Sequence, residues 1–178
     1  MNKIFTIPNL LSMLRLVLIP VFCWTYIGLD SVLITILLMV FSGITDLADG
    51  YIARKFNMTS DFGKFLDPLA DKLTLVAFLF CLTTRFPHLL ILFGLMLIKE
   101  LTLSLAVLMI IKKTGYVPMA LWHGKLVTAL QYLVLGLHLI FPQMPLTLSY
   151  LQMGLVIGLM TLSFILYLTS YVKMLKQK

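Results

Sequence analysis

Apolar runs of about 20 residues follow one another along nearly the whole chain, separated by short polar breaks. A run of that length is what a helix needs to cross the hydrocarbon core of a bilayer, so these runs decide what the chain can fold into. Read as helices, they place spans at 8–29, 31–53, 65–84, 87–111, 120–141 and 146–171. Composition agrees: 61% of the 178 residues are hydrophobic and 12% charged, where a soluble domain has about 45–50% and about 25%. The expectation is an all-α integral membrane protein, a bundle of six transmembrane helices. Its 178 residues leave no room for a separate soluble domain, and it is read as one domain over 1–178. The first apolar stretch lacks the short hydrophobic region and small-residue cleavage site of a secretory leader, so no cleavable signal is expected.

The formal net charge is +7, and its distribution says more than its size. With the N-terminus inside, Lys3, Arg15, Arg54, Lys55, Lys64, Lys72, Lys112, Lys113, Lys125, Lys173, Lys176 and Lys178 fall on cytoplasmic ends and loops. The opposite face holds Arg85 alone, and Lys99 lies within a span. Such asymmetry orients the bundle with both termini cytoplasmic. The basic balance is then topology plus an anionic substrate, with no nucleic acid as partner. Asn2 to Arg15 mixes polar and apolar positions and is expected to lie along the interface before the first span turns inward. Cys23 and Cys81 sit in apolar runs outside any metal-ligand spacing and read as small buried hydrophobes.

Against this background the acidic residues stand out. Six of the seven are aspartates, and five of those lie between positions 46 and 71. Charges within a span cost several kcal/mol, so they mark function and face the protein interior. Asp46 and Asp49 are three apart, Asp67 and Asp71 four apart, and each spacing puts two carboxylates on one helical face. Counted from Asp30 and Arg85 at the outer ends of their spans, Asp46 and Asp71 come out about 24 Å and about 21 Å deep. Two antiparallel helices therefore present four carboxylates at matching heights, just inside the cytoplasmic boundary.

Four converging carboxylates repel unless cations sit among them. An all-oxygen donor set suits Mg²⁺, Mn²⁺ or Ca²⁺, and two such ions neutralise a diphosphate and steady a leaving phosphate. Zinc is disfavoured because His88, His123 and His138 are scattered.

The segment Asp46-Leu47-Ala48-Asp49-Gly50-Tyr51-Ile52-Ala53-Arg54, followed by Gly63, Asp67 and Asp71, resembles a known signature, D-x2-D-G-x2-A-R-x8-G-x3-D-x3-D. It is that of the CDP-alcohol phosphotransferase (class-I CDP-alcohol phosphatidyltransferase) family. The family's six-span layout matches as well. The resemblance implies an alcohol attacking the phosphorus of a CDP-linked donor and releasing CMP. It implies two ions, Mg²⁺ or Mn²⁺, held by Asp46, Asp49, Asp67 and Asp71, with Asp71 also the base for the acceptor hydroxyl. Asn9 and Arg15 resemble the family's N-terminal segment near the nucleotide. Gly50 and Ala53 let a flat cytosine or a backbone approach, Gly63 does the same or serves helix packing, and Arg54 grips the donor phosphate or anchors the span's end.

The acceptor is read from weaker signals. Asp67-Pro68-Leu69-Ala70-Asp71-Lys72 and Gly124-Lys125-Leu126-Val127-Thr128-Ala129-Leu130-Gln131 are similar to the bacterial branch that forms phosphatidylglycerophosphate from glycerol 3-phosphate. Lys99-Glu100 departs from the Arg-Glu usual there. Lys99, Lys112, Lys113 and Lys125 are the candidate ligands of an acceptor phosphate. Lys99 has an ion pair with Glu100 as its alternative, and Lys125 a role as topological anchor. The expected substrates are CDP-diacylglycerol, drawn from the membrane lipid, and a polar phosphorylated alcohol. The expected setting is the cell membrane with the site facing the cytoplasm, and the resemblance implies a homodimer. Rival readings are the same chemistry with phosphatidylglycerol (a cardiolipin synthase) or an inositol phosphate as acceptor, and a divalent-cation transporter.

Overall fold

The computed structural model of the chain describes residues 6–56, 61–115, 118 and 121–176, with backbone alone at 47, 50, 53–54, 61–62, 64–65 and 176. Every regular element among them is helical: α1 (Ile7–Cys23), α2 (Val32–Lys55), α3 (Asp61–Thr83), α4 (Leu89–Thr114), α5 (Trp122–Ile140) and α6 (Leu146–Lys176). The apolar runs thus forecast the number of helices, with ends displaced by a few residues. Three are long and apolar enough to cross a bilayer: α1 with its continuation to Gly28, α4, and α6 as far as Leu175. In α2 the apolar part stops at Asp46, α3 carries Asp67, Asp71 and Lys72, and α5 is diluted by His123, Lys125, Gln131 and His138. Leu33, Leu37, Leu101, Leu105 and Leu151 are each more than half exposed. Outward apolar faces of that kind suit lipid, not water.

The helices fall into two units, Met1–Arg85 and Phe86–Lys178. In the first, α1 packs against both α2 and α3. Thr6 caps α1, its hydroxyl accepting from the Asn9 backbone N–H at 3.4 Å. α1 then runs without a turn through Arg15 to Cys23. Within the stretch expected to lie along the interface, Asn9, Ser12 and Arg15 point into the protein and are buried, and residues 2–5 of it lie outside the described residues. Pro20 removes one helical N–H, and the helix widens into a π-helical turn at Trp24–Gly28. Asp30, at φ 52°, makes the reversal into α2, and its carboxylate pairs with Arg85, which also covers the Tyr26 ring at 4.7 Å. Phe22 and Phe78 meet edge to face at 5.1 Å between α1 and α3.

In the second unit α6 packs against both α4 and α5. Leu103, Ile110, Tyr167 and Tyr171 form one buried cluster in it. Gly115 ends α4 in the left-handed region at φ 71°. Gly124 lies so close to Tyr167 that a Cβ there would sit 2.8 Å from Cε2 and 2.9 Å from Cζ of the ring. The Tyr167 hydroxyl accepts from the Leu121 N–H at 3.0 Å. A second polar knot joins three elements: Ser149 Oγ lies 2.5 Å from His88 Nε2 and 2.7 Å from His138 Nε2, while His138 Nδ1 is 2.8 Å from the Val134 carbonyl.

Candidate active site

The site is built in the first unit from three helices. α1 carries Asn9, Ser12 and Arg15 at intervals of three, one face of a helix, and all three are at most 2% exposed. α2 supplies Asp46 and Asp49, and α3 supplies Asp67 and Asp71. The Arg15 guanidinium reaches both partner helices. Its Nη1 donates to Asp46 at 2.5 Å and to Asp71, and its Nη2 donates to Asp49 at 2.5 Å. One turn earlier the Ser12 hydroxyl contacts Asp67 and lies 3.5 Å from Asp49. The four aspartates are therefore gathered around two side chains of α1, Arg15 and Ser12.

Exposure divides them. The Asp49 side chain is 5% exposed, whereas those of Asp46 and Asp71 are 44% and 43% exposed. Asp49 is thus an inner carboxylate and Asp46 and Asp71 line the open side. Gly63 is buried near the start of α3. Gly50, Ala53 and Arg54 fall on α2, but their surroundings lie outside the described residues, as does the Lys64 side chain.

Protons are short in this cluster. Ser12 has one hydroxyl hydrogen and three oxygens near it: the Pro8 carbonyl at 3.1 Å, Asp49 and Asp67. A single guanidinium does not neutralise four carboxylates. Oxygens crowded with too few hydrogens are the donor set a hard divalent ion takes, so the residues fit such an ion. Among the described residues, though, no three of His, Cys, Asp and Glu are drawn together tightly enough to form a cage by themselves. Arg15 sits where the carboxylates meet.

The candidate acceptor ligands lie in the second unit. Lys99 is buried on α4 and paired with Glu100 at 2.9 Å. Lys112 and Lys113 are exposed in the last turn of α4, with Lys113 Nζ donating to the Leu175 carbonyl at 3.1 Å. Lys125 is exposed in the first turn of α5. His123, beside it, has Nδ1 2.7 Å from Ser163 Oγ.

Sequence reasoning passed over Ser12, and it took Arg15 for a cytoplasmic-side charge and a ligand of the donor. The available signal was the spacing of Asn9, Ser12 and Arg15, three polar residues on one stripe of an apolar helix.

Comparison with known proteins bears on this arrangement. A family model described as CDP-alcohol phosphatidyltransferase matches residues 5–169. A "Cardiolipin synthase (CMP-forming) / mitochondrial hydrolase fusion protein" of Schizosaccharomyces pombe is 34% identical over 180 residues, 91% of this chain and 30% of that protein. A "CDP-diacylglycerol--glycerol-3-phosphate 3-phosphatidyltransferase" of Haemophilus influenzae is 47% identical over 75 residues, 41% of this chain and 40% of its own length. A protein of the same name from Aquifex aeolicus is 34% identical over 126 residues, 68% of each chain. The chain spans less than half the length of the first two of these relatives. The family match covers most of the sequence and includes the aspartate helices and α1, whose side chains meet in one cluster. The chain belongs to the CDP-alcohol phosphatidyltransferase family.

Proposed function

We propose that this chain transfers the phosphatidyl group of CDP-diacylglycerol to glycerol 3-phosphate, giving phosphatidylglycerophosphate and CMP. The observation that carries the reading is the meeting of all four motif aspartates around Ser12 and Arg15. Asp46, Asp49, Asp67 and Asp71 would hold two Mg²⁺ or Mn²⁺ ions, which would supply positive charge to neutralise the donor diphosphate and the departing phosphate. Asp71, on the open side, takes the proton of the acceptor hydroxyl as its oxygen bonds to the phosphatidyl phosphorus. The bond from that phosphorus to the CMP oxygen breaks, and CMP leaves with the electron pair. Asn9, Arg15, Gly50, Ala53, Arg54 and Gly63 serve the donor. Lys112, Lys113 and Lys125 are exposed and available to a phosphorylated acceptor, while Lys99 has to exchange Glu100 for that phosphate.

In the membrane we propose six spans with both termini cytoplasmic and a homodimeric assembly, the site facing the cytoplasm. A second reading keeps the chemistry and changes the acceptor to phosphatidylglycerol. It is favoured by the name of the S. pombe relative, which aligns with 91% of this chain. The test is CMP release from CDP-diacylglycerol in Mg²⁺ or Mn²⁺, with glycerol 3-phosphate, phosphatidylglycerol and inositol phosphate offered separately. Release with glycerol 3-phosphate alone is expected. Release with phosphatidylglycerol alone selects the second reading, and no release with any acceptor refutes the transferase assignment.

A further inference from the structure

Arg15 does more than a donor ligand needs to do. A guanidinium at 2% exposure is costly to bury unless it is paired. A residue kept only for an incoming phosphate would wait in the bilayer without a counter-charge. Arg15 instead has three carboxylate partners drawn from two helices. Its Nε is buried without a hydrogen-bond partner among the described residues, so the orientation of the group is set by the aspartates at its far end. The oxygens it holds, on Asp46, Asp49 and Asp71, are the hard anionic oxygens that a divalent ion would use.

A guanidinium and a divalent ion on shared carboxylates a few ångströms apart repel strongly where water is scarce. We propose that Arg15 is the resident counter-cation of the site. It bridges Asp46, Asp49 and Asp71 in the metal-free chain and gives up those oxygens when divalent ions take them. This inference rests on the metal-dependent reading above. It has two consequences. Without metal, α2 and α3 are not driven apart by their own charges, because α1 carries the neutralising group. With metal, the ion has to compete for its ligands, so the site binds it more weakly than four free carboxylates would. The displaced guanidinium becomes available to an anion that arrives with the ion.

The test compares the full-length wild type with Arg15→Gln in detergent by Mn²⁺ titration, reading free Mn²⁺ by electron paramagnetic resonance without substrate. Arg15→Gln is expected to bind Mn²⁺ about tenfold or more tighter. Its melting midpoint should fall in EDTA and recover when Mn²⁺ is added, a recovery larger than that of the wild type. Equal or weaker Mn²⁺ affinity in Arg15→Gln overturns the proposal. Should Arg15→Gln fail to fold, Arg15→Lys decides: its ammonium cannot fork across three carboxylates, so tighter binding than wild type supports competition and unchanged or weaker binding overturns it. A wild type that binds no Mn²⁺ refutes the metal-dependent reading itself, a result distinct from unchanged affinity in the variants.

Discussion

Replacing Ser149 by alanine removes one oxygen, and the structure says what that oxygen holds. The Val134 carbonyl only accepts, so His138 Nδ1 at 2.8 Å is the donor. With both rings uncharged, His138 Nε2 then accepts from the Ser149 hydroxyl, and Ser149 Oγ accepts from His88 Nε2–H. Each hydrogen has one acceptor along the chain His88–Ser149–His138–Val134. His138 is 1% exposed and Ser149 fully buried, so Ser149→Ala leaves the His138 Nε2 lone pair buried without a partner, at about 1–3 kcal/mol. His88 is only half-buried and can turn to another partner, adding about 0.5–1 kcal/mol. The expected loss is about 2–3 kcal/mol. The assay is the melting midpoint of the purified protein in detergent, with Ser149→Ala, His138→Phe and the double variant measured together. Phenylalanine at 138 keeps a ring against Phe86, now 4.9 Å away edge to face. Because the cost lies in the stranded partner, the double variant should lose about 1 kcal/mol less than the sum of the singles. A Ser149→Ala that melts with the wild type, or single losses that simply add, refutes the proton ordering.

Asp71→Asn should lower turnover by about 10²–10⁴-fold if the carboxylate takes the acceptor's proton, while metal-dependent CDP binding, read by calorimetry, persists; loss of both would make Asp71 chiefly a ligand. Gly124→Ala should destabilise by about 1–3 kcal/mol by overpacking against the Tyr167 ring, and Tyr167→Leu in the same chain should recover most of that loss in melting midpoint.

The helices were legible because lipid-crossing runs are long and uninterrupted, and the aspartates because charge inside such runs has few innocent explanations. Position along a helix was enough to bring Asp46 and Asp71 to one height, since rise per residue is nearly constant. Ser12 was legible only as one of three polar residues on a stripe of α1; its partners Asp49 and Asp67, on two other helices, leave no local trace in the sequence. Arg15 was recognised as special but lacked its partners, which lie 31 to 56 residues away on two other helices. His88 and His138 read as scattered for the same reason, as the serine that joins them, Ser149, belongs to a third element. Long-range pairing of polar groups leaves no periodic trace, whereas burial of apolar faces does.

The place of α1 in the chain bears on how the protein is made. Helices are made in chain order, and a carboxylate within an apolar helix is costly to place in lipid without a partner. Arg15 precedes Asp46 by 31 residues and Asp71 by 56, so the helix that carries the guanidinium is synthesised before either acidic helix. The counter-charge for two acidic helices is thus carried by a segment that precedes both of them in the chain. Moving α1 to the end of the chain by circular permutation would keep every contact and remove that order. Defective insertion of α2 and α3 in such a permutant would be a failure of assembly, not of the finished site.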